Sequence, residues 1–420
     1  VTHHDLQKKS VGSEKLFVIL FCIYIVTWYL QLGSRVGVLG AIRFEFLLGT
    51  FLLLVGFFKV FTVDKPSPLR PIIVFYISVL AFYSVFSYDR SNSIDIFYNR
   101  VVKFSMMALF FAAFVRTEWA LRMAVTAFLI AMAKLGQEGL FGWISGGLVW
   151  ENQGVMRLHG STMLYRHPNS LSGMGVGCLP FIYYLYPLVN KWQKLFLLFL
   201  LACCTVIIIF TASRTGYVAT LLLGMYLSWD LIKKNKMKFF IFIAMVIPAL
   251  VGFTPDQYKE RFISIFTLEE AEGNSSGTRL EIIEDAFEIF LKKPWGVGVA
   301  AFPKVREDTF GRAQDTHNLY LELLTNLGVW GLLIFLYFIY KMMRLNKQVI
   351  KGLECDENMR FVVAISKAVV AFLLSRLFLG MFGMDTYEIY WWFALGLTLS
   401  SFSIYRNYIK SNNRKFLTAH

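Results

Sequence analysis

Apolar residues fall in runs of about 17–22 along most of the chain, and helices of that length cross a ~30 Å hydrocarbon core. By this criterion the runs number about twelve. They lie near Leu16–Leu32, Phe44–Phe61, Pro71–Ser87, Val101–Val115, Ala120–Ile144 and Leu171–Val189. The series continues with Leu195–Thr211, Gly216–Ile232, Phe239–Phe253, Gly328–Met343, Phe361–Met381 and Tyr387–Tyr405. The pattern predicts an all-α fold, a polytopic transmembrane helical bundle forming one membrane domain over residues 1–420. The first run follows a polar stretch and has no small-residue cleavage site after it, so it is expected to be a retained anchor rather than a signal peptide.

Composition sharpens the class. Of 420 residues, 56% are hydrophobic, with 41 Phe and 20 Tyr, and the mean hydropathy is +0.55. That is too apolar for a soluble enzyme. The net charge of +14 would fit nucleic acid, but the cations sit in short breaks between runs. Lys59, Lys65 and Arg70 follow the second run, Arg116 and Arg122 the fourth, and Lys191 and Lys194 the sixth. Lys233, Lys234, Lys236 and Lys238 follow the eighth, Lys341, Arg344, Lys347 and Lys351 the tenth, and Arg406, Lys410, Arg414 and Lys415 the last. Every second connection is basic, as the positive-inside rule and anionic headgroups require, so membrane lipids are the expected partners and nucleic acid is not. Both termini are then expected in the cytoplasm. Cys22, Cys178, Cys203, Cys204 and Cys355 have neither metal-site spacing nor a disulfide framework.

With that orientation, three polar segments fall on the outer side: residues 145–170, the tight turn Thr211–Gly216, and the long connection 254–316 between the ninth and tenth runs. A connection of that length is usually functional. Within it, Leu280, Ile283, Phe287, Phe290 and Leu291 recur at helical spacing, while Glu281, Glu284, Asp285 and Glu288 take other faces. Thr278 and Glu281 form a capping-box pattern, and Lys292-Lys293-Pro294 ends the helix. An amphipathic helix on or near the outer membrane surface is expected.

Candidate chemistry gathers in these outer segments. Ser213 or Thr211 can cap the next helix, so Arg214 falls in a first turn where the helix dipole favours anions instead. An anion shared by the guanidinium and the helix N–H groups would resolve the conflict. An interfacial arginine reaching to headgroups is the alternative. Arg279 repeats the placement after Thr278, and His317 stands at the start of the predicted helix Asn318–Leu327. Together they suggest an anion site with a titratable base beside it, although His317 alone also fits a helix-start histidine bonded to its own loop.

Secondary candidates are Arg35, Arg157, His167, Asn318 and Arg376. His159 and Arg166 share the 145–170 loop, while His3, His4 and His420 are terminal. No carboxylate pair or His/Cys cluster has ligand spacing, so neither a metal nor a cofactor is called for. Inside the runs, Arg43 with Glu45 and Lys134 with Glu138 are read as structural ion pairs, since such charges are costly in lipid.

The segments SRTG (213–216), GTR (277–279), PWGVGVAAF (294–302) and HNLYLELLTNLGVWG (317–331) resemble the O-antigen ligase and polymerase family of bacterial membrane glycosyltransferases. Arg157-x-x-Gly160 followed by His167-Pro168-Asn169 is similar to the outer loop of that family. The resemblance covers residues 157–331. It implies a transferase of the bacterial inner membrane with its active site in the periplasm, taking a glycan from undecaprenyl diphosphate. The acceptor would be lipid A–core in a ligase or a second lipid-linked glycan in a polymerase. Carried onto this chain, Arg214 and Arg279 would bind the donor diphosphate and His317 would activate the acceptor hydroxyl.

The residue chemistry is compatible with that. Arginines neutralise a diphosphate leaving group, and a histidine works as a base near neutrality. No covalent nucleophile stands out, so the expectation is single displacement with inversion and without metal. A ligase is favoured over a polymerase because of the His-Asn element and the one long outer connection. A non-catalytic flippase, the reading from another class, predicts cationic sites at both faces, whereas the unusual residues here collect at one.

Overall fold

In the computed structural model, helices stand over every predicted run except the ninth, 239–253, which lies outside the described residues. The structure describes residues 3–61, 66–152, 155–234, 236–237, 256, 258–259, 275–383 and 386–418. Among them, 6 helices are long and apolar enough to cross a membrane: Arg90–Phe114, Glu118–Ile144, Pro168–Leu188, Lys191–Phe210, Leu319–Leu353 and Glu357–Phe382. Against an expectation of about twelve spans, these 6 described helices meet the length and the apolarity of a span together. Arg70–Val85 is apolar and too short for that criterion, and Arg214–Leu227 has only 14 residues.

The chain divides into two compact units. The first comprises Val1–Ala131, Ile282–Leu373 and Met384–His420. Aromatic side chains fill much of its centre. Phe21 meets Phe111 edge-on with centroids 5.0 Å apart, and Phe128 lies 4.3 Å from Phe393. The Ile389–Thr418 helix comes close to Lys103–Phe114 at Gly396, where a Cβ would stand 2.4 Å from the Phe111 ring. A buried amide adds direction to this packing: Asn346 Nδ2 donates to Thr398 Oγ1 at 2.7 Å, joining Leu319–Leu353 to Ile389–Thr418.

The second unit comprises Met132–Glu281 and Leu374–Gly383. Pro168–Leu185 and Lys191–Phe210 pack as its central pair. Asn190 opens the latter with a full capping box closed by Gln193, which satisfies otherwise orphaned N–H groups. The expected ion pair of Lys134 and Glu138 is present at 3.5 Å.

The 145–170 segment contains an element that the helical pattern did not predict. Val149–Asn152 and Val155–Leu158 pair antiparallel, with Trp150 opposite Arg157. Tyr258 holds this hairpin from beneath, its hydroxyl donating to Met156 O at 2.6 Å and its ring packing near Trp143 and Phe210. Alternation over four residues per strand is a weak signal beside the long apolar runs on either side.

Candidate functional site

In the second unit, two helices start where the secondary candidates gather. Arg214–Leu227 is capped by Ser213, whose Oγ accepts from Gly216 N at 3.2 Å. Arg214 is therefore the first helical residue, as the sequence predicts, and its side chain is half-buried. Pro168–Leu185 is capped by His167, whose Nδ1 accepts from Asn169 N at 3.2 Å. Arg157 bridges the two starts. Its Nε donates to Thr211 O at 2.8 Å, and its Nη2 donates to Asn169 Oδ1 at 2.8 Å.

The helices approach closely because Gly216 has no side chain: a Cβ there would lie 1.9 Å from Ser172 Oγ. One residue on, Gly173 O accepts from Arg376 Nη2 at 2.8 Å. Arg376 is 3% exposed, so this guanidinium reaches the neighbourhood from inside the protein. The structure thus brings Arg157, His167 and Arg376 to the same two helix starts as Arg214, with part of Arg157 and Arg376 engaged in holding the backbone.

Arg279 also belongs to the second unit, but its local setting differs from expectation. The helix begins at Ser275, not after Thr278, and runs to Lys292. Arg279 is therefore the fifth helical residue, in the second turn, and is half-buried. The packed face of this helix also differs from the predicted one. Ile282, Ala286 and Ile289 enter a core cluster with Val297, Phe302 and Val305. Leu280, Phe287 and Leu291, from the stripe expected to form the apolar face, are 62%, 49% and 75% exposed. Both faces are apolar, and the face that packs includes a charge, Asp285, that is neutralised from elsewhere.

His317 lies in the first unit, immediately before the Leu319–Leu353 helix. Asn318 caps that helix, its Oδ1 accepting from Tyr320 N at 2.9 Å and Leu321 N at 3.1 Å. The helix breaks at Gly328 (φ 68, ψ −172), so the predicted segment ending at Leu327 is a distinct first piece. His317 is exposed and has φ +48. A left-handed backbone at a residue with a Cβ is uncommon and persists only when its surroundings enforce it.

Several contacts enforce it. Thr316 N donates to Asp315 Oδ1 at 2.7 Å, and Thr316 Oγ1 donates to Asn318 O at 3.1 Å. Burial pushes the Asp315 carboxyl above its ordinary range, while bonds from Thr316 and the nearby His317 and Arg100 pull it back. Arg100 pairs with Glu388 and sits in a π-helical turn, Phe97–Val102, a distortion frequent at functional sites. Nothing in the sequence singles out Arg100, since one arginine in an apolar run has no motif around it. Arg35 ends the short Leu32–Arg35 helix of this unit and is exposed.

The PWGVGVAAF segment braces the other end of that first piece of Leu319–Leu353, just before the break at Gly328. Val297 N and Gly298 N donate to Thr325 O and Asn326 O, each at 2.9 Å. On its other edge, Tyr88 N donates to Val297 O at 2.8 Å, and Ser93 Oγ bonds Val299 O. Gly298 has φ +116, and a Cβ would stand 2.0 Å from Ser87 Oγ, so the motif needs glycine for both conformation and space.

Among the described residues no group of three or more His, Cys, Asp or Glu is placed to hold a metal ion. Residues 197–336 match the family model described as O-antigen ligase, and this range contains Arg214, Arg279 and His317. The matched range extends a few residues beyond Gly331 and does not reach Arg157 or His167. No curated protein matches the chain.

Proposed function

We propose, from the O-antigen ligase match over residues 197–336, that this multi-pass membrane protein is a glycosyltransferase of the ligase–polymerase type acting at the periplasmic face of a bacterial inner membrane. The donor is a glycan on undecaprenyl diphosphate, and the preferred acceptor is a lipid A–core hydroxyl. Both termini are cytoplasmic, and the segments 145–170 and 254–316 form the periplasmic loops of one membrane domain.

The observation that carries the reading is the exposed His317, held in a left-handed backbone one residue ahead of an Asn318-capped helix. Such a histidine is held at its backbone yet open to a substrate, as a general base must be. In the proposed reaction the acceptor oxygen attacks the anomeric carbon while its proton passes to His317. The bond from that carbon to the phosphate oxygen breaks, and undecaprenyl diphosphate leaves with the electron pair. Inversion follows from this single displacement. Arg214 and Arg279 bind the departing diphosphate, and Arg214 does so beside first-turn N–H groups. Arg35, Arg157, His167, Asn318 and Arg376 support the substrate or the elements around it. No divalent cation is required, because the arginines carry the neutralising role.

Reconstitution of the purified chain in lipid vesicles tests this. Undecaprenyl-diphosphate-linked glycan is supplied with rough lipopolysaccharide, in EDTA. Glycosylated lipid A–core is the expected product. Longer lipid-linked chains from donor alone would assign the polymerase reaction instead. Movement of donor across the bilayer with no transfer would replace the enzyme by a flippase.

A further inference from the structure

The helix that carries Arg279 and the loop that carries His317 are joined by buried charge. Asp285 follows Arg279 by six residues on Ser275–Lys292, a rise of about 9 Å along the axis. Asp285 is 6% exposed, and Arg306, on Phe302–Phe310, is fully buried. Arg306 Nε donates to Asp285 Oδ2 at 2.8 Å, and its Nη1 donates to Gln314 O at 3.3 Å. Arg312, past the end of that helix, donates from Nη2 to Asp285 Oδ1 at 3.1 Å. Each carboxylate oxygen therefore holds a different arginine, and one arginine continues to the backbone three residues before His317.

Stability alone gives little reason for this arrangement. Replacing a buried ionic cluster by apolar residues of similar volume is often neutral or stabilising. What the cluster supplies is direction, because a guanidinium presents its donors in a rigid plane. From Gln314 onward, the Asp315–Thr316 and Thr316–Asn318 bonds continue to the cap of the next helix. The loop is thereby fixed at both ends, with His317 between them.

We propose that Asp285 is a positioning residue for His317, acting through Arg306 and Arg312 to tie the 311–316 loop to the helix that carries Arg279. The proposal rests on His317 as the base in the reaction above.

The test compares Asp285→Leu/Arg306→Met, which removes the buried pair together and leaves only the partly exposed Arg312, with Arg306→Lys, which keeps a charge beside Asp285 but lacks the fork to Gln314. Two measurements are made on the full chain in lipid: amide hydrogen exchange over residues 311–318, and glycan transfer with undecaprenyl-diphosphate-linked glycan. Loss of one charge-assisted bond predicts exchange faster by about tenfold, and a base displaced by about 1 Å predicts kcat lower by about 10²-fold. Affinity for undecaprenyl diphosphate, measured separately, stays at the wild-type level. Asp285→Glu, which retains the carboxylate, recovers part of kcat. Arg306→Lys decides the question if the double variant does not fold. Wild-type kcat in a folded variant that has lost the fork overturns the proposal, as does unchanged exchange. If the wild-type chain transfers no glycan to any acceptor, the proposed function fails, and the exchange result alone then judges whether Asp285 fixes the loop.

Discussion

Two helix starts in this molecule share a backbone and differ in where they put the reactive side chain. At Ala212-Ser213-Arg214 and at His317-Asn318-Leu319, a residue with φ +48 precedes a cap in extended conformation, and the helix follows at once. In the first, the left-handed residue is a buried alanine, and the charged residue comes after the cap. In the second, the left-handed residue is the histidine itself, and the residue after the cap is the buried Leu319. A cation after the cap sits among first-turn N–H groups and shares any anion with them. A histidine before the cap lies outside the helix and, at His317, is exposed. In the proposed reaction, one turn geometry would thus serve a phosphate ligand in one unit and a base in the other.

The largest effect expected from breaking this comparison is at His317. His317→Ala keeps a Cβ and so leaves the strain in place, but removes the base. Transfer should fall by about 10²–10⁴-fold, the usual contribution of a positioned general base. Binding of undecaprenyl diphosphate should be unchanged, and retained turnover would remove the histidine from the mechanism. Arg214→Lys comes next. It preserves charge but not the bidentate fork, and donor affinity should weaken about tenfold, or roughly 1.4 kcal/mol. Arg279→Lys should follow the same course if both arginines hold the diphosphate. Titration of each variant with undecaprenyl diphosphate checks this, and unchanged affinity in either would make that arginine structural.

What was legible in the sequence was local. The Phe44–Phe61 run and the helix over it have the same bounds, since a long apolar stretch leaves few alternatives. The helix starts at Arg214 and after His317 were legible because a cap acts within three residues, although the sequence left Thr211 and Ser213 both open as the cap of the first. The Ser275–Lys292 helix shows where such reading stops. Its apolar stripe was visible, yet the packed face is the one bearing Asp285. Only Arg306 and Arg312, more than twenty residues away in sequence, make that burial tolerable. Arg157 and Arg376 were visible as outer-side or buried arginines, but their use as braces on Thr211 O and Gly173 O depends on which helices meet. The hairpin at 149–158 was missed for a related reason: its strands are short and are held by Tyr258, about a hundred residues later.

The smallest effect separates the caps from the chemistry. Ser213→Ala and Asn318→Ala each remove a side-chain acceptor from a helix start, and each should cost about 1 kcal/mol of stability. The two should differ in turnover. At Asn318 the cap accepts from two amides and is bonded through its backbone to Thr316, so its loss loosens the residue next to the proposed base and should lower kcat with donor affinity unchanged. At Ser213 the cap accepts from Gly216 in the same first turn as Arg214; if Arg214 holds the donor as proposed, loss of the cap should weaken donor affinity before it lowers kcat. Thermal unfolding confirms the common cost, and steady-state kinetics with undecaprenyl diphosphate as competitor separates the two. If both substitutions changed kcat and affinity alike, the two starts would not have the division of labour argued from their shared turn, and the position of each side chain relative to its cap would carry no functional meaning.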